Sequence, residues 1–175
     1  MTGEIFECMR ESQTVRNFRQ EPVTDENIAK LIEAACWAPS AGNLQPWFFY
    51  VVKNEKVKQR LAAACTDQPQ VAEAPVAIVV MADPAKSNEK YGERGAQLYC
   101  LQDTAAAAEN LLLAAESMGL ATCWVGGFDE PQVQRLVEAP PRLRAVAIIC
   151  VGHSDEQVSS PKERLRVAEV TKIIH

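Results

Sequence analysis

Four short apolar runs, separated by segments with helical spacing, constrain this chain more than any other feature. They are Trp47 to Val52, Val76 to Met81, Ala121 to Val125 and Ala145 to Val151. Short apolar runs bounded by turn-forming or charged residues predict buried β-strands. Between them the periodicity changes. Thr24 is a candidate N-cap, with Asp25 and Glu26 favouring the helix dipole, and Ile28, Leu31, Ile32 and Ala35 recur at helical spacing until Pro39 stops the helix. Residues 3–11, 55–65 and about 130–137 also read as helices. Gln102 to Met118 is the clearest helix, rich in Ala and Leu, with Gly119 where a C-cap glycine belongs. It is apolar nearly all round, which predicts burial, with a second subunit as the expected cover. Residues 83–96 carry Pro84, Gly92, Gly95 and many charges and read as a loop or mobile lid. Interleaved helices and strands imply a sheet with helices packed on its faces.

Length and composition narrow the function. The 175 residues fit one domain spanning 1–175, with a sizeable core. At 47% hydrophobic and 23% charged, the composition excludes disordered, collagenous and membrane classes. The net charge of -5 is spread along the chain, with no basic stripe for nucleic acid. No apolar run approaches the ~20 residues that span a bilayer. Met1 to Arg10 lacks the features of a secretory signal, so a cytoplasmic location is expected. The six cysteines are scattered without a C-x-x-C pair and read as mostly buried small hydrophobes. His153 and His175 are too few for a histidine metal site or a triad. Chemistry here is expected to come from a cofactor.

Three segments stand out. Thr14 and Arg16 place a hydroxyl and a cation on one side of an extended segment, suited to a phosphate or an electron-rich ring; the alternative is a plain surface loop. Pro39 to Trp47 holds two prolines, Gly42, Asn43 and Gln45. Its paired amides suit the alternating donors and acceptors of a flavin's pyrimidine edge, or serve only a helix-to-strand connection. In Trp124-Val125-Gly126-Gly127-Phe128 the glycines allow backbone N–H groups to approach a planar ligand, or form an ordinary turn.

Together these segments resemble the nitroreductase-like family. Pro39-Ser40-Ala41-Gly42-Asn43-Leu44-Gln45-Pro46-Trp47 is similar to its P-S-S-x-N-x-Q-P-W, and Thr14-Val15-Arg16-Asn17-Phe18 to its S-I-R-x-F. Gln68 sits where many members place a flavin-contacting Gln. Glu109 to Ala115 resembles the central dimer helix, Thr122 to Phe128 the glycine segment at flavin N5, and Lys162-Glu163-Arg164 the K-x-R that holds the FMN phosphate. The resemblance implies an α+β fold with a mixed, mainly antiparallel central sheet flanked by helices, in an intertwined homodimer with an exchanged C-terminal tail. It implies FMN bound at the subunit interface by Ser12, Thr14, Arg16, Pro39, Ser40, Ala41, Asn43, Gln68, Trp124, Val125, Gly126, Gly127, Lys162 and Arg164, with the Pro39 to Asn43 loop coming from the partner. The implied activity is hydride transfer from NAD(P)H through FMN to an electron-poor acceptor such as a nitroaromatic or quinone, with no side chain acting as general acid or base. A flavin or enone reductase and a non-enzymatic flavin-binding protein are the alternatives. Where the family usually has Arg, this chain has Ser12, which implies weaker FMN retention.

Overall fold

Side chains alternate along a strand, so a strand buried on both faces must feed two separate cores. The computed structural model, which describes residues 4–156 and 163–174, shows this arrangement. Its helices are α1 (Glu4–Glu11), α2 (Asp25–Cys36), α3 (Glu55–Ala63), α4 (Gln70–Glu73), α5 (Pro84–Arg94), α6 (Cys100–Ser117), α7 (Glu130–Leu136) and α8 (Val167–Val170). Its strands are β1 (Trp47–Val52), β2 (Val76–Ala82), β3 (Ala121–Val125) and β4 (Arg144–Gly152), in the order β1-β2-β4-β3 with every neighbouring pair antiparallel. An isolated parallel bridge between Thr14 and Thr122 adds the mixed character at the β3 edge.

From β2, Val76, Ile78 and Val80 enter a core with Leu31 and Ala35 of α2 and Ala107, Leu111 and Ala115 of α6. Ala77, Val79 and Met81 enter the opposite core with Leu61, Val71 and Val133 from α3, α4 and α7. In β4 the alternation slips at a bulge, where Val80 faces Ala147 but Met81 faces Ala145.

Thr24 caps α2 as expected, its Oγ1 accepting from the Asn27 N–H (3.1 Å), and Gly119 takes φ 68° after α6. Residues 83–96 correct the sequence reading, because they form α5 rather than a loop. Asp83 caps it by accepting from the Lys86 N–H (3.2 Å), and Pro84 occupies the first turn, where its missing N–H costs nothing. Gly92 (φ 59°, ψ −151°) kinks this helix before a π-helical stretch, Gly95–Tyr99, leads into α6.

Strand β1 lies at an edge, so it is only partly buried, with Phe48 50% exposed. Helix α6 buries one side and leaves Gln102, Ala105 and Glu109 exposed; its alanines made the sequence look more uniformly apolar than its packing is. Of the cysteines, Cys100, Cys123 and Cys150 are buried, Cys8 and Cys65 partly so, and Cys36 is exposed. Burial pushes the Cys65 thiol up to about 11 and raises that of Cys150. Residues 163–174 are exposed throughout, so in one chain the tail does not dock on its own sheet. No helix among the described residues is long and apolar enough to cross a membrane.

Candidate functional site

Most of the expected residues fall in two places, while Arg164 stands apart on the exposed tail. The first surrounds β3. Beside it runs the N-terminal segment, with Thr14 half-buried in its bridge to Thr122 and the Val15 N–H donating to the Thr122 carbonyl (2.9 Å). Past its end, Gly127 O accepts from the Thr66 N–H (3.0 Å), Cys65 bridges to Phe128, and the Asp129 N–H donates to Ala64 O (2.8 Å). These bonds fasten the 64–68 turn to the glycine segment.

Gln68 follows that turn, its Nε2 donating to Thr66 O (3.2 Å) while its Oε1 accepts from Gln70 Nε2. Gln70 is buried and also contacts Cys123 Sγ (3.5 Å). A fully buried amide is costly unless bonded, and these bonds fix Gln68. Val125 is 2% exposed in the core, so it can offer a ligand only its backbone. Trp124, on the other face, is 40% exposed. It lines a cavity of about 340 Å³ with Gly126, Phe128, Arg144, Leu101 and Thr104, within the ~300–1,000 Å³ range of small-molecule pockets.

Neither Gly126 nor Gly127 has the positive φ that favours glycine. A Cβ on Gly127 would meet nothing within 4 Å, and one on Gly126 would meet only Trp124 Nε1 at 3.8 Å. Both glycines are exposed, so neither backbone geometry nor packing within the chain requires them, whereas a planar ligand lying against the backbone would require that open space to stay clear.

Arg16 is exposed beside this region. The backbone N–H groups of Arg16 and Asn17 both donate to Glu156 Oε2 (3.0 Å each), and Asn17 Nδ2 does the same (3.0 Å). The Asn17 and Arg16 amides hold the Glu156 carboxyl below its ordinary range. Ser12, half-buried, closes α1 with its N–H on Cys8 O (2.9 Å). Arg164 stands on the exposed tail, its Nη1 donating to Glu163 O (3.4 Å). Lys162, its expected companion, lies outside the described residues.

The second place is the Pro39 to Asn43 loop, which leads into β1. Because β1 and β3 are opposite edges of the sheet, three interstrand spacings, roughly 14 Å, separate the loop from the glycine segment, although β1 starts at the end where β3 finishes. Gly42, Asn43 and Gln45 all have positive φ (58°, 57° and 51°). Ser40 Oγ accepts from the Gln45 N–H (3.0 Å), and Gln45 Nε2 donates to Asn43 Oδ1 (3.2 Å). Pro39 and Asn43 are exposed, Ser40 and Ala41 half-buried. Lys90 and Tyr91 of α5 close over Gly42, where a Cβ would come within 2.5 Å of both.

Sequence reasoning missed Gln70, Glu156 and Asp103. Asp103 accepts from the Ala41 N–H at Oδ1 (3.1 Å), and its burial raises the carboxyl above its ordinary range, opposed by that bond. An acid within an Ala-rich helix was the available signal. No cluster of three or more His, Cys, Asp or Glu suited to a metal occurs among the described residues.

A model of the Nitroreductase family matches residues 9–73 and 67–153. The chain belongs to the nitroreductase family. A relative from Archaeoglobus fulgidus, named provisionally as an NADH dehydrogenase/NAD(P)H nitroreductase, is 32% identical over 158 residues, covering 86% of this chain and 87% of its own. The crystal structure of a nitroreductase family protein from Streptococcus pneumoniae superposes with a TM-score of 0.90 at 26% identity, covering 98% of this chain and all of that one. An NADPH:FMN oxidoreductase from Vibrio harveyi, solved with NAD+, gives a TM-score of 0.89 at 27% identity, covering 99% of this chain and 78% of that one. Family membership places the chain among the oxidoreductases and its α+β fold among theirs.

Proposed function

We propose that this nitroreductase is an FMN-dependent enzyme that takes a hydride from NAD(P)H and delivers it to an electron-poor acceptor such as a nitroaromatic or quinone. The observation that carries the reading is the clear space at Gly126, which lines the Trp124 cavity, and at Gly127, which is bonded to the turn leading to Gln68. The FMN oxidoreductase of Vibrio harveyi with the same fold supports it. When bound, FMN supplies two-electron hydride chemistry between nicotinamide and acceptor. The chain's residues do the rest. Gly126 and Gly127 present backbone amides and exclude side chains, while Gln68 supplies an amide for the ring's polar edge. Arg16 would supply a cation to the bound flavin, which would favour its reduced, more negative form. Thr14, Arg164 and Lys162 serve the phosphate, whose charge favours charge-assisted bonds. Protons come from solvent.

The loop on the far edge of the sheet serves a second copy, so two chains complete each site. Apolar side chains exposed in one chain support this homodimer: Ile5, Phe6 and Met9 on α1, and Phe48 and Val51 on the open edge of β1. On the tail, Leu165, Val167, Val170, Ile173 and Ile174 are each more than 60% exposed. An exposed apolar edge strand is a liability unless paired, and an extended partner tail would cover it.

Anaerobic mixing of the FMN-loaded protein with NADH or NADPH tests the activity. Bleaching of the flavin, followed by recovery of colour with a nitroaromatic, quinone or enone, identifies the enzyme and its acceptor class. No bleaching with either nucleotide leaves a passive flavin binder and refutes the proposal.

A further inference from the structure

We propose that Asp103 is the positioning residue of the Pro39 to Asn43 loop, a buried carboxylate that holds the loop in its cofactor-binding shape. This rests on the flavin reading above. The loop is strained, because Asn43 and Gln45 are non-glycine residues at positive φ, a conformation that persists only where surrounding structure enforces it. Most bonds that shape it come from the loop itself, such as the Asn43 N–H to Ser40 O (3.0 Å) and the Leu44 N–H to Ala41 O (3.2 Å). From outside, Lys86 Nζ donates to Gln45 O (3.3 Å), but Lys86 is exposed, where water competes for that bond. Asp103 is 7% exposed on α6, and its Oδ1 receives the Ala41 N–H.

Its other oxygen is held at a cost. Oδ2 is buried with no hydrogen-bond partner among the described residues. Burying a half-satisfied carboxylate destabilises a fold, and an apolar side chain would pack there at lower cost. What Asp103 adds in return is the grip on Ala41. The same helical stretch contributes Leu101, Thr104 and Ala105 to the Trp124 cavity, so α6 ties the loop to the body of the enzyme. In the homodimer, a misplaced loop would damage the partner's site.

Asp103→Leu and Asp103→Asn test this by amide exchange at Ala41, thermal melting and FMN titration. The wild-type Ala41 amide is expected to exchange slowly despite its place in a surface loop. In Asp103→Leu it should exchange at least about tenfold faster, the FMN Kd should rise by about tenfold, and the melting temperature should hold or rise. Asp103→Asn keeps an acceptor and should restore both protection and affinity to near wild type. A fast-exchanging Ala41 in the wild type overturns the proposal, as does unchanged protection in Asp103→Leu. A parallel fall of melting temperature and FMN affinity with Ala41 still protected shows a merely structural residue and also overturns it. Should the wild type bind no FMN, the flavin reading fails, while Ala41 exchange still decides the anchor.

Discussion

Replacing Gly127 with alanine separates space kept for a ligand from space kept for the fold. The added Cβ meets no atom within 4 Å, and φ at this position lies outside the left-handed range. Steric cost within the chain is therefore absent. Alanine also narrows the unfolded ensemble, which stabilises a compatible site by about 0.4 to 1 kcal/mol. For a chain of this length that raises the melting temperature by roughly 1 to 4 °C. The flavin, by contrast, loses close approach to the backbone. One displaced amide hydrogen bond and the accompanying repacking cost about 1 to 2 kcal/mol, a factor of roughly 5 to 30 in Kd. Calorimetry and a fluorescence titration with FMN, run on one preparation, measure both numbers. An unchanged Kd would show that no ligand uses this space, and a melting temperature that falls together with affinity would show that the fold does.

Other expectations follow from neighbouring positions. Ser12→Arg restores the charge that the family usually places there and should tighten FMN binding by about 1 to 3 kcal/mol; equal affinity in the two proteins counts against the assigned phosphate grip. Gly152→Ala forces a Cβ to 2.6 Å from Pro75 Cδ and 2.9 Å from Phe18 Cδ1, which should cost about 1 to 3 kcal/mol in a denaturant melt. A neutral result there contradicts the tight packing. Because Glu156 is held below its ordinary range by the Asn17 and Arg16 amides, its folded value lies under its unfolded one. Its contribution is therefore complete above the ordinary carboxylate range and is lost as pH falls through the lowered value. Exchange protection at Arg16 and Asn17 should fade over that acid interval, and Glu156→Gln should remove the pH dependence.

The elements were legible where local chemistry sufficed. Trp47–Val52, Glu55–Ala63 and Val76–Ala82 are bounded within about two residues by signals written in their own sequence. Helix α5 was hidden because Pro84 and Gly92 are breakers in most contexts, yet here they occupy a first helical turn and a kink. The exposure of β1 depends on its place at the sheet's edge, which no local pattern encodes. Gly126 and Gly127 were visible as an odd pair, but only the structure shows the clear space around them. Asp103 and Glu156 act on backbone groups 62 and about 140 residues away, and such partnerships exist only after folding. Gln70 is a polar residue in an apolar core, and its role became readable through its bond to Gln68.

A flavin site completed by two chains requires that flavin binding and dimer formation go together. Size-exclusion chromatography of the FMN-loaded protein, with light scattering and flavin absorbance recorded together, tests it most directly. One FMN per chain is expected, with all bound flavin eluting at twice the 19.3 kDa chain mass. Flavin bound stoichiometrically to a 19.3 kDa species, or a dimer that retains none, would contradict it.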